Sequence, residues 1–480
     1  MRFYKFSLYS FLLLFLLSAC HDDNNDPEPT PPPAEPEPEN PVIADAYTQR
    51  VNSFIYQAMK SCYLWTDQIP ELDRQYETDP KAYFKKILTP DDRFSAITDD
   101  LQSLLSSTEG IEETFGYSLA YQWGDEAKTK IRAIVEYVYP NSPASLAGIQ
   151  RGDLIVSLNG QNITQTNMDD LINNPTNISI GVRKYRDGKY TDPETVALAT
   201  AIVEQNPVHT HKIINAGTTK VGYLFYSSYI GKFNSSLDSV FTAFKNAGIS
   251  ELILDLRYNL GGDEEAVINL CSHIAPAAVC QNKELIIQKE FNAIQTEYNR
   301  QDSIDANAYF TDSLLNDNLN LSRVFILTSN QTYSASEVTL VGLDPYMDVI
   351  RIGERTGGKY TGMQILPAVV YIGNFAFLDP IIGNWALYPI VLEYKNKNGE
   401  NPKGGLAPDY NVSSFYLPME PLGDEKDPLV ARALELITGT VPATTQAYRR
   451  LNTQQPFRHK ASVFDDIKKN FFVSKTAIQK

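Results

Sequence analysis

Ser334 and Lys359 are the residues of this 480-residue chain whose types and spacing could do chemistry together. A serine hydroxyl is a weak nucleophile until a base takes its proton, and a lysine amine kept from water can be that base. Ser334 lies in Tyr333-Ser334-Ala335-Ser336-Glu337, shortly after the apolar run Val324-Phe325-Ile326-Leu327, and Lys359 follows 25 residues later behind Gly357-Gly358. A serine that leaves a buried strand and opens a helix has its hydroxyl beside free amides at the positive end of the helix dipole. The Ala335 amide would then face an oxyanion formed at Ser334, the donor that acyl transfer requires. The plain alternatives are an N-cap serine and a solvated loop lysine. As a base, Lys359 must lose its proton near neutral pH, a lowering of ~3 units from ~10.4 that requires about 4 kcal/mol.

Both residues need elements to hold them. Asp255-Leu256-Arg257-Tyr258-Asn259-Leu260-Gly261-Gly262 leaves one strand and enters a helix through paired glycines, whose amides approach a ligand closely. Gly261 or Gly262 is the candidate second oxyanion donor. Gly353-Glu354-Arg355-Thr356-Gly357-Gly358-Lys359 bends the chain after the run Val349–Gly353 and returns Lys359 toward the sheet end. Residues 206–425 alternate strand and helix patterns, which predicts a layered α/β core with right-handed crossovers. Asp255 and Arg257 read as strand-end structural charges, and Glu337 as a charge stabilising its helix N-terminus. The five histidines have no cysteine or carboxylate at metal-ligand spacing, and a Ser-His-Asp arrangement fits less well than Ser334 with Lys359.

Residues 43–108 carry a helical period, with Val51, Phe54, Ile55 and Met59 on one face, and read as a small helical N-terminal domain. Residues 109–205 are β-rich. There Ser142-Pro143-Ala144-Ser145-Leu146-Ala147-Gly148-Ile149 and Gly152-Asp153-Leu154-Ile155-Val156-Ser157-Leu158-Asn159-Gly160 resemble a PDZ domain. The resemblance makes Phe115, Gly116 and Tyr117 the loop whose amides hold a peptide's C-terminal carboxylate, the peptide adding as an edge strand. Thr114 stands where many such loops have glycine. Residues 426–480 read as a helical tail, clearest at Pro428–Ile437.

The first residues predict an address rather than a fold. Arg2 and Lys5 precede a 14-residue apolar run, Phe6–Ala19, too short to span a bilayer and suited to a signal peptide over 1–19. Leu17-Ser18-Ala19-Cys20 resembles a bacterial lipobox, which implies lipidation of Cys20. Residues 21–41 hold eight prolines and seven acidic residues. The 20–42 segment therefore reads as an acidic, extended tether of up to about 65 Å. The implied location is the bacterial envelope, lipid-anchored, at the outer membrane, with surface exposure as the further option. A formal charge of −16 argues against nucleic acid as a partner. Cys62, Cys271 and Cys280 remain in the body of the chain, and an oxidising compartment would permit pairing of Cys271 with Cys280.

The three motifs, in this order behind a PDZ-like module, resemble the carboxyl-terminal processing peptidases of the S41 serine peptidase family, related to tricorn core proteases. The resemblance covers roughly residues 85–370 and implies an α/β multidomain protein with a crotonase/ClpP-like core. It implies Ser334 as nucleophile, Lys359 as general base, and Ala335 with Gly261 or Gly262 as the oxyanion hole. Family members carry an orienting glutamine four residues after the lysine. Met363 holds that place here, with Gln364 one position later, and the turn Asn259-Leu260-Gly261-Gly262 lacks the family's proline. The implied activity is a cofactor-independent endopeptidase acting on proteins or peptides. The alternative is a catalytically silent, peptide-binding lipoprotein.

Overall fold

The computed structural model describes residues 42–172, 176–372, 375–440 and 471–472, so the expected signal peptide, Cys20 and tether lie outside the described residues. The described residues from Ile43 onward belong to one compact unit. Its centre is a six-stranded sheet in the order Val208–Ala216, Thr219–Tyr226, Glu251–Asp255, Arg323–Thr328, Asp348–Gly353 and Tyr410–Asn411. The first two strands form an antiparallel hairpin and every later pairing is parallel. Parallel neighbours need crossovers, supplied by helices Asn234–Ala247, Glu264–Ile274 and Ala335–Leu343.

Both faces of the sheet are covered, which is why its strands read as continuous apolar runs. Leu224, Leu252, Leu254, Val324 and Ile326 pack with the three crossover helices. Their alternates Tyr223, Phe225, Ile253, Phe325 and Leu327 pack with Leu429, Val430 and Ala433 of helix Pro428–Thr438 and with Tyr137 and Tyr139 of the β-rich module. That helix is thus a layer of the core. A second sheet runs Gly262–Asp263, Phe471–Phe472, Thr361–Met363, Ile390–Lys395, Leu285–Phe291 and Ala308–Tyr309.

The N-terminal helices Ala46–Cys62, Pro80–Lys86 and Leu101–Thr108 begin at Asp45, Asp79 and Asp100, each capping backbone amides with its carboxylate. Their apolar faces have no separate core. Val51, Ile55, Met59, Tyr63 and Phe84 bury against Met363, Leu366, Trp385, Leu387 and Ile390. Strand Ala96–Thr98 pairs antiparallel with Ala386–Tyr388, stitching this region to the second half of the chain.

The β-rich module has its own core and a sheet ordered Glu194–Ala199, Asn177–Arg183, Leu154–Leu158, Ile131–Val138, Tyr117–Trp123. Cys62, Cys271 and Cys280 are all free thiols, so the pairing of Cys271 with Cys280 that the sequence permits is not made. Burial pushes the Cys280 thiol up to about 11.

Candidate active site

Ser334 stands between strand Arg323–Thr328 and helix Ala335–Leu343 with φ 57° and ψ −112°. A positive φ is costly for a residue with a Cβ, and such strain persists only where the surroundings enforce it. The same strained strand-to-helix elbow presents the nucleophile of α/β-hydrolases. Ser334 is fully buried, and its Oγ has no hydrogen-bond partner among the described residues. It is therefore no ordinary capping serine, although Glu337 three residues later accepts from the Ser334 N–H at 3.0 Å.

The glycine turn is pinned against this elbow. Asn259 accepts from the Tyr333 N–H (3.1 Å) and the Ser336 hydroxyl (3.1 Å) through its carbonyl, and its side-chain amide donates to the Tyr226 carbonyl (2.8 Å). Gly261 has φ 115°, and a Cβ there would lie 2.9 Å from Ser334 Cβ. The Gly261 N–H is already donated to Asn259 Oδ1 at 2.9 Å, which makes Gly262 the better candidate donor of the pair. Ala335 opens the helix, and its amide lies 3.1 Å from that same added Cβ. The turn itself rests on Arg257, which is fully buried and bonded to Asp255 and to Asp427, the latter at 2.8 Å. This is the structural role expected for Asp255 and Arg257. Burial pushes Asp427 up, but Arg257 and Arg151 outweigh it and hold the carboxyl below its usual range.

Lys359 returns to the elbow through a loop that only glycine permits. A Cβ on Gly357 would meet the Tyr333 ring at 2.1 Å, and Gly358 has φ 82° with no room beside Gly405. The loop is fastened by Glu337, whose Oε1 accepts from Thr356 Oγ1 (2.5 Å) and the Gly358 N–H (2.7 Å). Its Oε2 accepts from the Lys359 N–H (2.8 Å) and the Ser334 N–H. One carboxylate therefore ties the backbone of Ser334 to that of Lys359. Burial pushes Glu337 up to about 7, against the opposing pull of these four donors. Tyr394 adds a second tie, donating to the Lys359 carbonyl at 2.6 Å.

The Lys359 side chain is fully buried, with Nζ 3.1 Å from Met363 Sδ and 4.7 Å from the centre of the Phe94 ring. Met363 thus touches the amine, while Gln364 is fixed by its own backbone, whose N–H donates to the Pro389 carbonyl. Sequence reasoning missed Phe94 and understated Glu337. Its reading as a charge stabilising the helix N-terminus left out its bond to the Ser334 N–H and those to Thr356, Gly358 and Lys359.

Phe115, Gly116 and Tyr117 lie apart from these residues, at the start of strand Tyr117–Trp123. Gly116 has φ 81° and a Cβ there would strike Ser142 at 2.2 Å, so the loop is packed onto helix Pro143–Leu146. The Tyr117 hydroxyl donates to the Leu171 carbonyl at 2.8 Å. His209 and His273 are engaged elsewhere, with the Val138 carbonyl and with Asp238.

Comparison with known proteins agrees with this architecture. Residues 220–412 match the description Peptidase family S41, residues 50–96 its N-terminal domain and residues 134–183 a PDZ domain. The chain belongs to peptidase family S41. This is a family of serine peptidases, as the resemblance implied, and catalytic silence is not favoured. The chain is 24% identical to the chloroplastic C-terminal processing peptidase of Tetradesmus obliquus over 73% of its own length and 71% of that protein. It is 22% identical to a carboxyl-terminal-processing protease of Picosynechococcus, over 83% and 89%. With the chloroplastic carboxyl-terminal-processing peptidase 1 of Arabidopsis thaliana it shares 23% identity over 60% of this chain, spanning 53% of that relative's length. Among solved structures, an S41 protease from Bacteroides fragilis superposes with a TM-score of 0.66 at 28% identity, covering 80% of this chain and 97% of that one.

Proposed function

We propose that this S41 family member is a membrane-tethered serine endopeptidase that cleaves proteins or peptides through Ser334 and Lys359. The observation that carries the reading is the strained, fully buried Ser334 with an unpartnered hydroxyl, tied through Glu337 to the loop of Lys359. In this mechanism the Lys359 amine takes the Ser334 proton as Oγ attacks the scissile carbonyl. The oxyanion forms against the Ala335 and Gly262 amides, where fixed donors in a dry site act strongly. Lys359 then gives its proton to the leaving amine. Water hydrolyses the acyl-enzyme with the lysine again as base.

The PDZ module would select substrates by their C-terminal carboxylate at Phe115, Gly116 and Tyr117. A lipid on Cys20 and the acidic tether would hold the enzyme in the bacterial envelope, at the outer membrane. This address rests on the lipobox and on the composition of residues 21–41. The first test compares wild type with Ser334→Ala and Lys359→Ala on an unstructured protein substrate at mildly alkaline pH. Both variants should lose at least 10²-fold in kcat with the fold intact by circular dichroism, the scale of removing a group that transfers a proton in the reaction. Wild-type rates no higher than those of the variants would sink the reading. Metabolic labelling with a fatty-acid analogue tests the anchor, since Cys20→Ser should lose the label.

A further inference from the structure

We propose that the hairpin of strands Val369–Ile372 and Phe375–Leu378 is a membrane-contact element. It seats apolar side chains in the interface of a phospholipid bilayer, beside the point where the tether joins the folded body. The inference rests on the membrane-tethered reading. The two strands form a two-stranded sheet of their own, with Val369 opposite Leu378 and Val370 opposite Phe377. Tyr371, Phe377 and Leu378, with Ile381 just beyond, are each more than half exposed. Cross-strand partners share a face, so Tyr371 and Leu378 lie on one side and Phe377 with Val370 on the other. Both sides of the hairpin thus present apolar groups. The sequence from Tyr360 to Leu378 holds no charged residue, in a chain of formal charge −16. Exposed strands are normally guarded by charge, and an unguarded apolar patch marks a contact surface.

The root of the hairpin is fixed to the helix that begins the folded body. The Asp379 N–H donates to the Ala368 carbonyl at 2.9 Å, and the Asp379 carboxylate accepts from Arg50 at 2.6 Å. The Ala368 N–H donates to the Trp385 carbonyl at 3.0 Å, and Trp385 Nε1 donates to the Tyr47 hydroxyl at 2.9 Å. Tyr47 and Arg50 belong to the first two turns of helix Ala46–Cys62. Ile43, the exposed residue at which the tether joins, precedes Tyr47 by four positions, and four residues span at most ~14 Å. The end of the tether and the hairpin root are therefore neighbours. The cations at the root are compensated, since Arg50 pairs with Asp379, and Lys81, over the Trp385 ring, pairs with Asp99. This position selects the occupant. A protein partner covers one face of a hairpin, whereas a bilayer interface takes both at once. Aromatic side chains settle there with the ring among acyl chains and any hydroxyl at the headgroups. A lipid on Cys20 limits how far the body strays, but a tether of up to about 65 Å leaves its orientation free. The hairpin supplies the orientation.

The test is flotation of the unlipidated chain, residues 20–480 with Cys20→Ser, with phosphatidylcholine vesicles. This chain should float with the vesicles, and adding Tyr371→Glu with Phe377→Glu should lower its partition coefficient at least ~10-fold. Ile202→Glu, at an exposed apolar residue of strand Ala201–Glu204, should leave flotation unchanged. Cleavage of a soluble, unstructured substrate without lipid should be the same in all three. Equal flotation with and without the two glutamates, or none in either, overturns the proposal. A fall in kcat/KM on the soluble substrate would make the hairpin a substrate surface instead. A dimer in lipid-free solution that the glutamates dissolve would make it a contact with a second copy, and either result also overturns the proposal. Should the double variant not fold, Tyr371→Trp decides, because vesicles should add a blue-shifted component to its emission and an unmoved spectrum sinks the idea. Label on Cys20 without flotation strikes the hairpin and leaves the anchor, whereas flotation without label strikes the anchor and leaves the hairpin.

Discussion

Two fully buried carboxylates, one behind the Asp255–Gly262 turn and one behind the Ser334 elbow, are treated in opposite ways. Asp427 faces Arg257 at 2.8 Å, receives the Tyr416 hydroxyl at 3.0 Å and caps the helix that follows it. Glu337 receives four donors, and each of those bonds comes from a backbone amide or a hydroxyl. Cations hold Asp427 ionised below the ordinary carboxylate range, whereas burial takes Glu337 up to about 7. The difference separates two kinds of support. A charge neutralised by a counter-charge is locked across the working pH range. A charge held only by dipoles sits near its own titration point, so the tie between Ser334 and Lys359 responds to pH.

The comparison can be broken most forcefully at Asp427. Asp427→Asn keeps a cap oxygen and leaves Arg257 paired with Asp255, but it removes the carboxylate that Arg257 shares with Arg151. One of the two buried cations thereby loses its counter-charge, which should cost about 3–5 kcal/mol of unfolding free energy in urea. A loss below 1 kcal/mol would show that the two arginines find their neutralisation elsewhere.

The next effect concerns pH. Below pH 4.5 Glu337 is protonated in both folded and unfolded chains. As pH rises, the unfolded chain ionises first while the folded chain keeps its proton until about 7. Stability therefore falls across that window by about 3 kcal/mol and levels off above it. Asp427 works in the other sense, since its contribution is present above its ordinary value and is lost as pH falls through its lowered one. Urea denaturation at pH 4.5, 6 and 7.5 should show the descent in wild type and a shallower one in Glu337→Gln, where Asp344, pushed up to about 6 by burial, still ionises. The same slope in both proteins would assign the effect to another group.

The smallest change sharpens the contrast. Thr356→Val removes one of the four donors to Glu337, together with the acceptor for the Leu406 N–H, at about 1–2 kcal/mol. It should also push the end of the descent to higher pH, because the lost bond favoured the ionised form. Thr356→Ser should restore both.

Local sequence made Ser334, the helix after it, the paired glycines at 261–262 and the PDZ hairpin at 152–160 legible, because each is written in consecutive residues with a turn or cap requirement. The S41 membership and the serine-peptidase class followed from those motifs. Contacts made across the chain were invisible. Phe94 meets Lys359 across a long stretch of sequence, and no periodicity reports that meeting. Glu337 looked like a cap because its nearest bond is a cap, while its other three partners arrive by the fold of the 356–359 loop. The N-terminal helices read as a separate domain since their apolar stripe is regular, yet the surface it covers is supplied by residues 363–390. The adjacent Met363 and Gln364 show the limit in one place. The sequence offered Gln364 as the residue to orient Lys359, whereas the structure brings the Met363 sulfur to within 3.1 Å of the amine.

The pairing of Ala96–Thr98 with Ala386–Tyr388 closes a loop of about 290 residues. Contacts that distant form late and slowly, since their closure entropy is spent before they return any stabilisation. The ring beside the lysine and the strand that anchors it belong to the two ends of that loop. Biosynthesis thus has a built-in order. A ribosome must deliver the chain past residue 390 before Lys359 has its surroundings, and every shorter nascent fragment lacks a wall of the pocket around it.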